Sequence, residues 1–502
     1  MKKITLTLSL LLMTYAPVIH AQLQNVNWYF GDRTGLNFTT SPPTVLTDNS
    51  YLLEGVAATV SDPTSGNLLF YTDGFVVYNS SHSVMRNGED LYGGGTTLIV
   101  PYPGFPDKYL IFTEEPFTGF GTGLNYSVVD MTGDLGLGEV VDKNINLLPV
   151  SSEKMTITKT TDGSAYWLIV FAPQDSLSEE NTTLYSYKID ATGINLVTQA
   201  TFPFSLENAI AEAPAGQMKI SPDNQNIALV RNVRYILPRS TLDGATASAT
   251  DPNMPPERVY TFDFDETTGA ITNMQSSYVL SGYNTYYGLE FSTDSNLLYV
   301  TELSDILGAT GKIYQIEYRN SAAEYPINVI YDSAGTVRLL GLQRAYDNKI
   351  YAISDDPYYL SVINSPDLIG QTSDFVLNSI SFDHLTGDVE SARDLPQLVP
   401  DKLVVIPDIT QKSARPVIVG NPIKNDLKIK FDDVQVYTVE IYNTVSMDMP
   451  APEPLKTVIY EDMKNKKVYH INVTDLPSDI YYLVITNQQQ EIWYDSVIKI
   501  QD

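Results

Sequence analysis

Apolar positions fall in short runs separated by polar turns, not at the three-to-four-residue spacing of an amphipathic helix. One unit recurs. A short apolar strand meets a Ser/Asp/Asn turn, as in Met218-Lys219-Ile220-Ser221-Pro222-Asp223 and Leu289-Glu290-Phe291-Ser292-Thr293-Asp294. A second run rich in Leu, Ile, Val and Tyr follows, as in Asn67 to Thr72, Lys108 to Thr113, Tyr166 to Phe171, Asn226 to Val230, Asn296 to Thr301 and Lys349 to Ser354. A third strand alternates strictly and runs into an Asp/Gly turn, as Val259 to Phe264 does before Asp265 to Gly269. First strands begin near residues 54, 96, 153, 217, 288 and 342, with a last one near 396. The step is roughly 57 residues, which suits four short strands and their loops.

A single four-stranded sheet cannot bury both its faces, so sheets at this period must stack, and radial stacking gives a β-propeller. The start at Asp394 to Val399 has no room for further strands before the sequence changes character. Trp28 to Phe38 can supply them. The pattern therefore predicts an all-β chain: a seven-bladed β-propeller closed by N- and C-terminal strands, with Trp28 to Phe38 pairing with Leu395 to Ile406. A pair of jelly-roll sandwiches is the rival, although sandwiches do not demand this repeat. Beyond Asp408 the basic residues become denser and Pro416 and Pro422 mark a linker. The strands predicted there are Leu427 to Phe431, Tyr437 to Asn443, Val468 to Val473, Tyr481 to Thr486 and Ser496 to Ile500, which make a small Ig-like β-sandwich with an extended loop at Pro450 to Pro454. The expected divisions are a signal peptide over 1–21, the propeller over 22–408, a linker over 409–420 and the sandwich over 421–502.

The signal peptide rests on Lys2 and Lys3, the apolar run Ile4 to Tyr15, and a cleavage site between Ala21 and Gln22. No later stretch is apolar for long enough to span a membrane, so no transmembrane segment is expected in the mature chain. Composition narrows the partners. Of 502 residues 60 are acidic and 31 basic, a net charge of −29 that repels phosphate backbones and argues against nucleic acid. The absence of cysteine excludes disulfides, thiol nucleophiles and zinc-thiolate sites.

Two modules resemble known families. Trp28-Tyr29-Phe30-Gly31, Gly35-Leu36-Asn37-Phe38, Glu54-Gly55, Gly66 to Gly74, Val77-Tyr78-Asn79, Leu124 to Met131, Glu153-Lys154 and Ser221-Pro222-Asp223 are similar, in this order, to a secreted β-propeller family of Bacteroidetes. Asn421-Pro422 to Leu427, Val439 to Asn443, Ile471-Asn472-Val473 and Leu476 to Tyr482 resemble the C-terminal sorting domain of type IX secretion. The resemblance implies passage through the periplasm, recognition by the type IX secretion machinery, and a final place outside the cell or on its surface.

The chemistry is sparse. There is no nucleophile elbow, HExxH zinc motif or phosphate loop, and Gly308 to Lys312 is followed by Ile313 where a magnesium-binding hydroxyl is needed. His82, His384 and His470 are too scattered for a three-His metal site. A structural hydrogen bond is expected of His82, and turn chemistry of Asp263 and Asp265. No catalytic residue, metal ligand or cofactor is assigned. Glu54, Glu153, Gln217, Glu290 and Gln343 begin inner strands and are the candidate ligand-binding groups of a central channel, where a calcium ion is compatible with their oxygens. Lining the channel with water and capping strand backbone is the plainer role. Of the 34 tyrosines, Tyr283, Tyr286, Tyr287, Tyr358 and Tyr359 are read as turn residues that form an aromatic rim. The reading is a non-enzymatic binding or adhesion module for glycan or a surface protein. A propeller hydrolase or lactonase using the channel is the alternative.

Overall fold

The computed structural model describes residues 23–49, 56–115, 123–173, 181–203, 211–213, 216–234, 258–277, 285–303, 311–320, 325–334, 336–385, 389, 392, 394–399, 417–419, 423–430, 437–443, 454–460, 468–478, 480–487 and 492–500. The chain divides between Leu403 and Val404 into two compact units. Both are all-β, and the helical turns among the described residues are short 3-10 segments such as Leu23–Asn25 and Gly370–Ser373.

Among the described residues the larger unit holds seven antiparallel sheets in chain order. The first joins Asn27–Phe30, Thr34–Asn37 and Thr44–Leu46. The second joins Ala58–Ser61, Leu68–Thr72 and Val77–Asn79. The third joins Thr97–Pro101, Lys108–Glu115, Gly123–Asp130 and Glu139–Leu148. The fourth is built from Met155–Lys159, Tyr166–Pro173, Asn181–Asp190 and Gly193–Pro203. The fifth comprises Met218–Ile220, Asn226–Arg234, Arg258–Asp265 and Ala270–Ser277, with Ala211–Ala213 extending its second strand. The sixth contains Thr285–Phe291, Leu298–Leu303, Lys312–Ile316 and Ile327–Asp332. The seventh contains Leu339–Arg344, Ile350–Ser354, Tyr359–Ile363 and Phe375–Ser381.

Side-chain alternation explains how these sheets stack. In Tyr166–Pro173, Tyr166, Leu168 and Val170 pack with the third sheet's Leu110 and Phe112, while Trp167, Ile169 and Phe171 pack with the fifth sheet's Met218 and Ile220. Both faces are covered, which is why Tyr166-Trp167-Leu168-Ile169-Val170-Phe171 is apolar without interruption. The same arrangement joins the second sheet to the third through Phe70 and Ile111, the fifth to the sixth through Val230 and Leu289, and the sixth to the seventh through Tyr299 and Leu342. The first sheet lies between the seventh and the second: Trp28 and Phe38 share a core with Tyr351, Leu360 and Val362 on one side and Ala57 and Tyr71 on the other. Trp28 is fully buried, with its ring centroid 4.6 Å from that of Phe38 and 5.8 Å from that of Tyr351.

The expected pairing of the N-terminal strands with Leu395 to Ile406 is not found among the described residues. The first sheet's three strands all come from residues 27–46. Residues 394–399 belong to none of the ladders among the described residues, and residues 400–406 of the expected pairing lie outside the described residues. Residues 394–399 are nonetheless fixed beside the first sheet. Leu395 and Ala392 join the Trp28 core, and the Asn25 side chain donates to the Val399 carbonyl at 2.9 Å. The Gln397 N–H donates to the Ala57 carbonyl at 3.2 Å, just as the Gln217 N–H does to the Tyr287 carbonyl at 2.9 Å. Residues 394–399 thus meet the second sheet as the start of the fifth sheet's inner strand meets the sixth.

Among the described residues the smaller unit has two sheets, one of Val417–Ile418, Asp426–Lys430 and Val468–Asn472, the other of Lys456–Tyr460, Tyr437–Asn443, Ile480–Asn487 and Ile492–Ile498. Leu427 and Ile429 from one and Tyr437, Val439 and Ile441 from the other share a core. The intervening Lys428, Thr438 and Glu440 stay partly exposed, the alternation of strands with one wet face. Lys456–Tyr460 is a strand that the sequence pattern did not indicate.

Candidate functional site at the inner strand ends

Polar side chains from four sheets and from residues 394–399 converge where the inner strands begin. Gln217 is buried at the start of the fifth sheet. Its Nε2 donates to both oxygens of Asp394, at 2.7 and 2.8 Å. Its Oε1 accepts the backbone N–H of Leu289 at 2.7 Å and that of Leu342 at 3.3 Å. One amide thus fastens the fifth, sixth and seventh sheets and the 394–399 segment together. Two residues on, the Lys219 ammonium donates to Gln343 Oε1 at 2.5 Å and Gln397 Oε1 at 2.6 Å, and lies 3.5 Å from Glu290 Oε2. The Glu290 carboxylate also accepts the N–H groups of Phe291 and Arg344, each at 2.9 Å.

Asp394 is almost completely buried, and burial pushes its carboxyl up to about 7. Lys219, the Gln217 amide and the Leu395 N–H oppose this by favouring the charged form, while Glu153 adds repulsion. Gly341 is required here, because a Cβ on it would fall 1.7 Å from Asp394 Oδ1.

Gln217, Glu290 and Gln343 are therefore brought together as the sequence suggested. Glu153 is half-buried at the start of the fourth sheet, within electrostatic reach of Asp394, and Glu54 lies outside the described residues. Lys219, Asp394 and Gln397 complete the network and were not singled out as site residues. Lys219 had a visible signal: a lysine between Met218 and Ile220 in a strand with both neighbours apolar. The network consists mostly of caps on strand backbone and of mutual charge compensation.

The aromatic rim is corrected. Tyr286 and Tyr287 belong to the strand Thr285–Phe291 rather than to a turn, and Tyr286 is 1% exposed within the core between the fifth and sixth sheets. Tyr287 is half-buried, and Tyr283 lies outside the described residues, as do Ala21 and Gln22. Tyr358 and Tyr359 are half-buried. Tyr358 packs on the Trp28 core, and Tyr359 borders a recess of about 10 Å³, room for no more than a water. A more open recess of about 360 Å³ lies in the turn between the first two strands of the third sheet, where the Tyr102 and Phe105 rings meet at 4.5 Å and Phe105 is 41% exposed.

His82 makes structural contacts: its Nδ1 lies 3.3 Å from the Tyr71 hydroxyl and its Nε2 3.3 Å from Asp48. Asp265 caps its own turn through the Thr267 N–H and the Thr268 hydroxyl, and Asp263 accepts from the Asn273 amide. Among the described residues there is no group of three or more His, Cys, Asp or Glu placed to hold a metal. Nor is any helix among them long and apolar enough to cross a membrane.

No protein-family model and no curated protein matches the chain. Solved structures similar to it include the periplasmic gluconolactonase of Pseudomonas aeruginosa, at 12% identity over 64% of this chain and 93% of that one, with a TM-score of 0.34. An exo-β-1,3-galactanase of Phanerochaete chrysosporium is similar at 8% identity over 83% of this chain and 98% of that one, with a TM-score of 0.33.

Proposed function

We propose that the larger unit is a closed seven-bladed β-propeller acting as a secreted or cell-surface binding module for glycan or protein, and that the smaller unit is an Ig-like sorting domain read by the type IX secretion machinery. The observation that carries the binding reading is how the polar groups are spent. Gln217, Lys219, Glu290 and Gln343 are committed to one another and to strand backbone, whereas aromatic surface and open volume lie in the turn at Tyr102 and Phe105. Sugar rings and peptide side chains both stack on such faces. The test is an array of glycans and surface proteins probed with the full chain and with Phe105→Ala. Binding that depends on Phe105 supports the reading; an array without a single hit counts against it.

A hydrolase using the channel is the second reading, and Asp394 favours it, because a buried carboxyl near neutrality is poised for proton transfer. Turnover of lactone or glycoside substrates that is abolished in Asp394→Asn would establish it in place of the binding module. The sorting reading rests on the resemblance of residues 421–482 and on the separate core of the smaller unit. Removing residues 415–502 should then hold the remainder in the periplasm. Normal release of the truncated chain would refute sorting.

A further inference from the structure

The recess at Tyr102 and Phe105 carries a charge as well as aromatic surface, and its turn is stiff. Pro101, Pro103 and Pro106 fix three backbone angles and have no N–H. Three further N–H groups are spent within the turn: Tyr102 donates to the Lys108 carbonyl at 2.8 Å, Phe105 to the Tyr102 carbonyl at 3.1 Å and Lys108 to the Phe105 carbonyl at 3.2 Å. Gly104, at φ +80°, presses against the fourth sheet's turn, where a Cβ on it would fall 2.6 Å from Ala191 Cβ. The rings are thus positioned before any ligand arrives, which lowers the ordering cost of binding.

The charge in the recess is negative. Asp107 lines it and is exposed, and among the described residues its carboxylate accepts no hydrogen bond and pairs with no cation. The neighbouring Lys108 ammonium is held by Asp130 at 3.5 Å, and Asp62 caps its own turn through the N–H groups of Thr64 and Ser65. Burial, Asp62 and Asp107 together push the Tyr109 hydroxyl, at the edge of the recess, up to about 12.

We propose that this recess takes an arginine side chain of a basic protein or peptide, with the guanidinium stacked on the Phe105 and Tyr102 rings and paired with the Asp107 carboxylate. The proposal rests on the binding reading above and names its partner. A guanidinium is planar and weakly hydrated, so it stacks on aromatic faces and still presents its N–H fork to a carboxylate. A sugar ring stacks as well, but its several hydroxyls need partners that this turn lacks: no amide side chain lines the recess, and its prolines and spent N–H groups leave little backbone to donate. An acidic glycan or peptide is repelled by Asp107 and by a chain of net charge −29, which draws basic partners instead.

The test is fluorescence anisotropy of a dye-labelled peptide of alternating glycine and arginine, titrated with the full chain at about 0.15 M salt to screen loose attraction. The same peptide with citrulline, which keeps the planar shape without the charge, and the same peptide with lysine are the comparisons. Saturable one-to-one binding of the arginine peptide is expected, with the citrulline peptide weaker by about tenfold and the lysine peptide weaker than the arginine one. Phe105→Ala and Asp107→Asn should each weaken arginine binding by about threefold or more. Both positions are exposed, and Asn tolerates the φ of +65° at 107, so an unchanged Tm is expected of each variant. Asp332→Asn removes an exposed acid from the sixth sheet and should bind as the parent does. The proposal is overturned if the parent shows no saturable binding, if citrulline or lysine binds as tightly as arginine, or if Asp332→Asn weakens binding as much as Asp107→Asn. Array hits on neutral glycans that need Phe105, without peptide binding, would overturn the arginine partner and leave the binding module standing; an array without hits together with no peptide binding would remove both.

Discussion

Replacing Asp394 with Asn should flatten part of the chain's stability profile against pH. The carboxyl is buried between the Gln217 amide and the Leu395 N–H, and burial raises it to about 7 from an ordinary 3.8. Between those two values the folded chain holds a proton that the unfolded chain has released. Stability therefore falls as pH rises through this window, and the contribution is fully present only below about 4. One proton is worth about 1.4 kcal/mol per pH unit, so the whole window amounts to about 4 kcal/mol. Lys219 and Glu153 are the charged groups that act on Asp394, with opposite signs, and neither is altered by the substitution. Asn at 394 can still accept from Gln217 and Leu395 on one oxygen, but it turns an amide N–H₂ toward the Gln217 amide at the other, a loss of about 1–3 kcal/mol. Urea unfolding of parent and Asp394→Asn between pH 4.5 and 8.5 reads the difference. The variant should be less stable at the acid end, and the gap should narrow by several kcal/mol toward pH 8. Two profiles that run parallel across the range would refute the assignment of this titration to Asp394.

Other outcomes follow from the same packing. Lys219→Met removes the ammonium that Gln343, Gln397 and Glu290 share, and should cost about 3–5 kcal/mol, measured by denaturant unfolding at pH 7. Trp28→Ala empties the core between the first, second and seventh sheets and should cost about 3–5 kcal/mol. Trp28→Phe should cost clearly less, because the buried indole N–H makes no hydrogen bond that would be lost; equal losses in thermal unfolding would contradict this. Val439→Asp places a charge in the core of the smaller unit and should abolish that unit's calorimetric transition while leaving the larger unit's in place.

Much of this architecture was legible because burial leaves a mark at every position. The uninterrupted apolar run Tyr166 to Phe171 announced a strand covered on both faces, and the alternation through Tyr437 to Ile441 announced one covered on a single face. Strand starts near 96, 153, 217 and 342 sit within a few residues of Thr97, Met155, Met218 and Leu339. Position along an inner strand was also enough to group Gln217, Glu290 and Gln343. Which partners they would find was not readable, because Gln217 meets Asp394 across 177 residues and Lys219 meets Gln397 across 178. Local pattern carries no information about such separations. Tyr286 was misjudged for a related reason: a tyrosine has the same composition in a turn as in a strand, and only the neighbouring sheet decides whether its ring is covered. The N-terminal strands show the same limit. Their apolar character determined that they would form a sheet, but whether residues 394–399 would hydrogen-bond into it or pack beside it depended on contacts with residues far away in the chain. The sequence by itself determined the strands, their spacing and which faces had to be buried, since these follow from side-chain polarity and a period of two. The tertiary structure alone decided which polar ends met and what charge each would bear, because burial and the nearest opposite charge are set by residues far away in the chain.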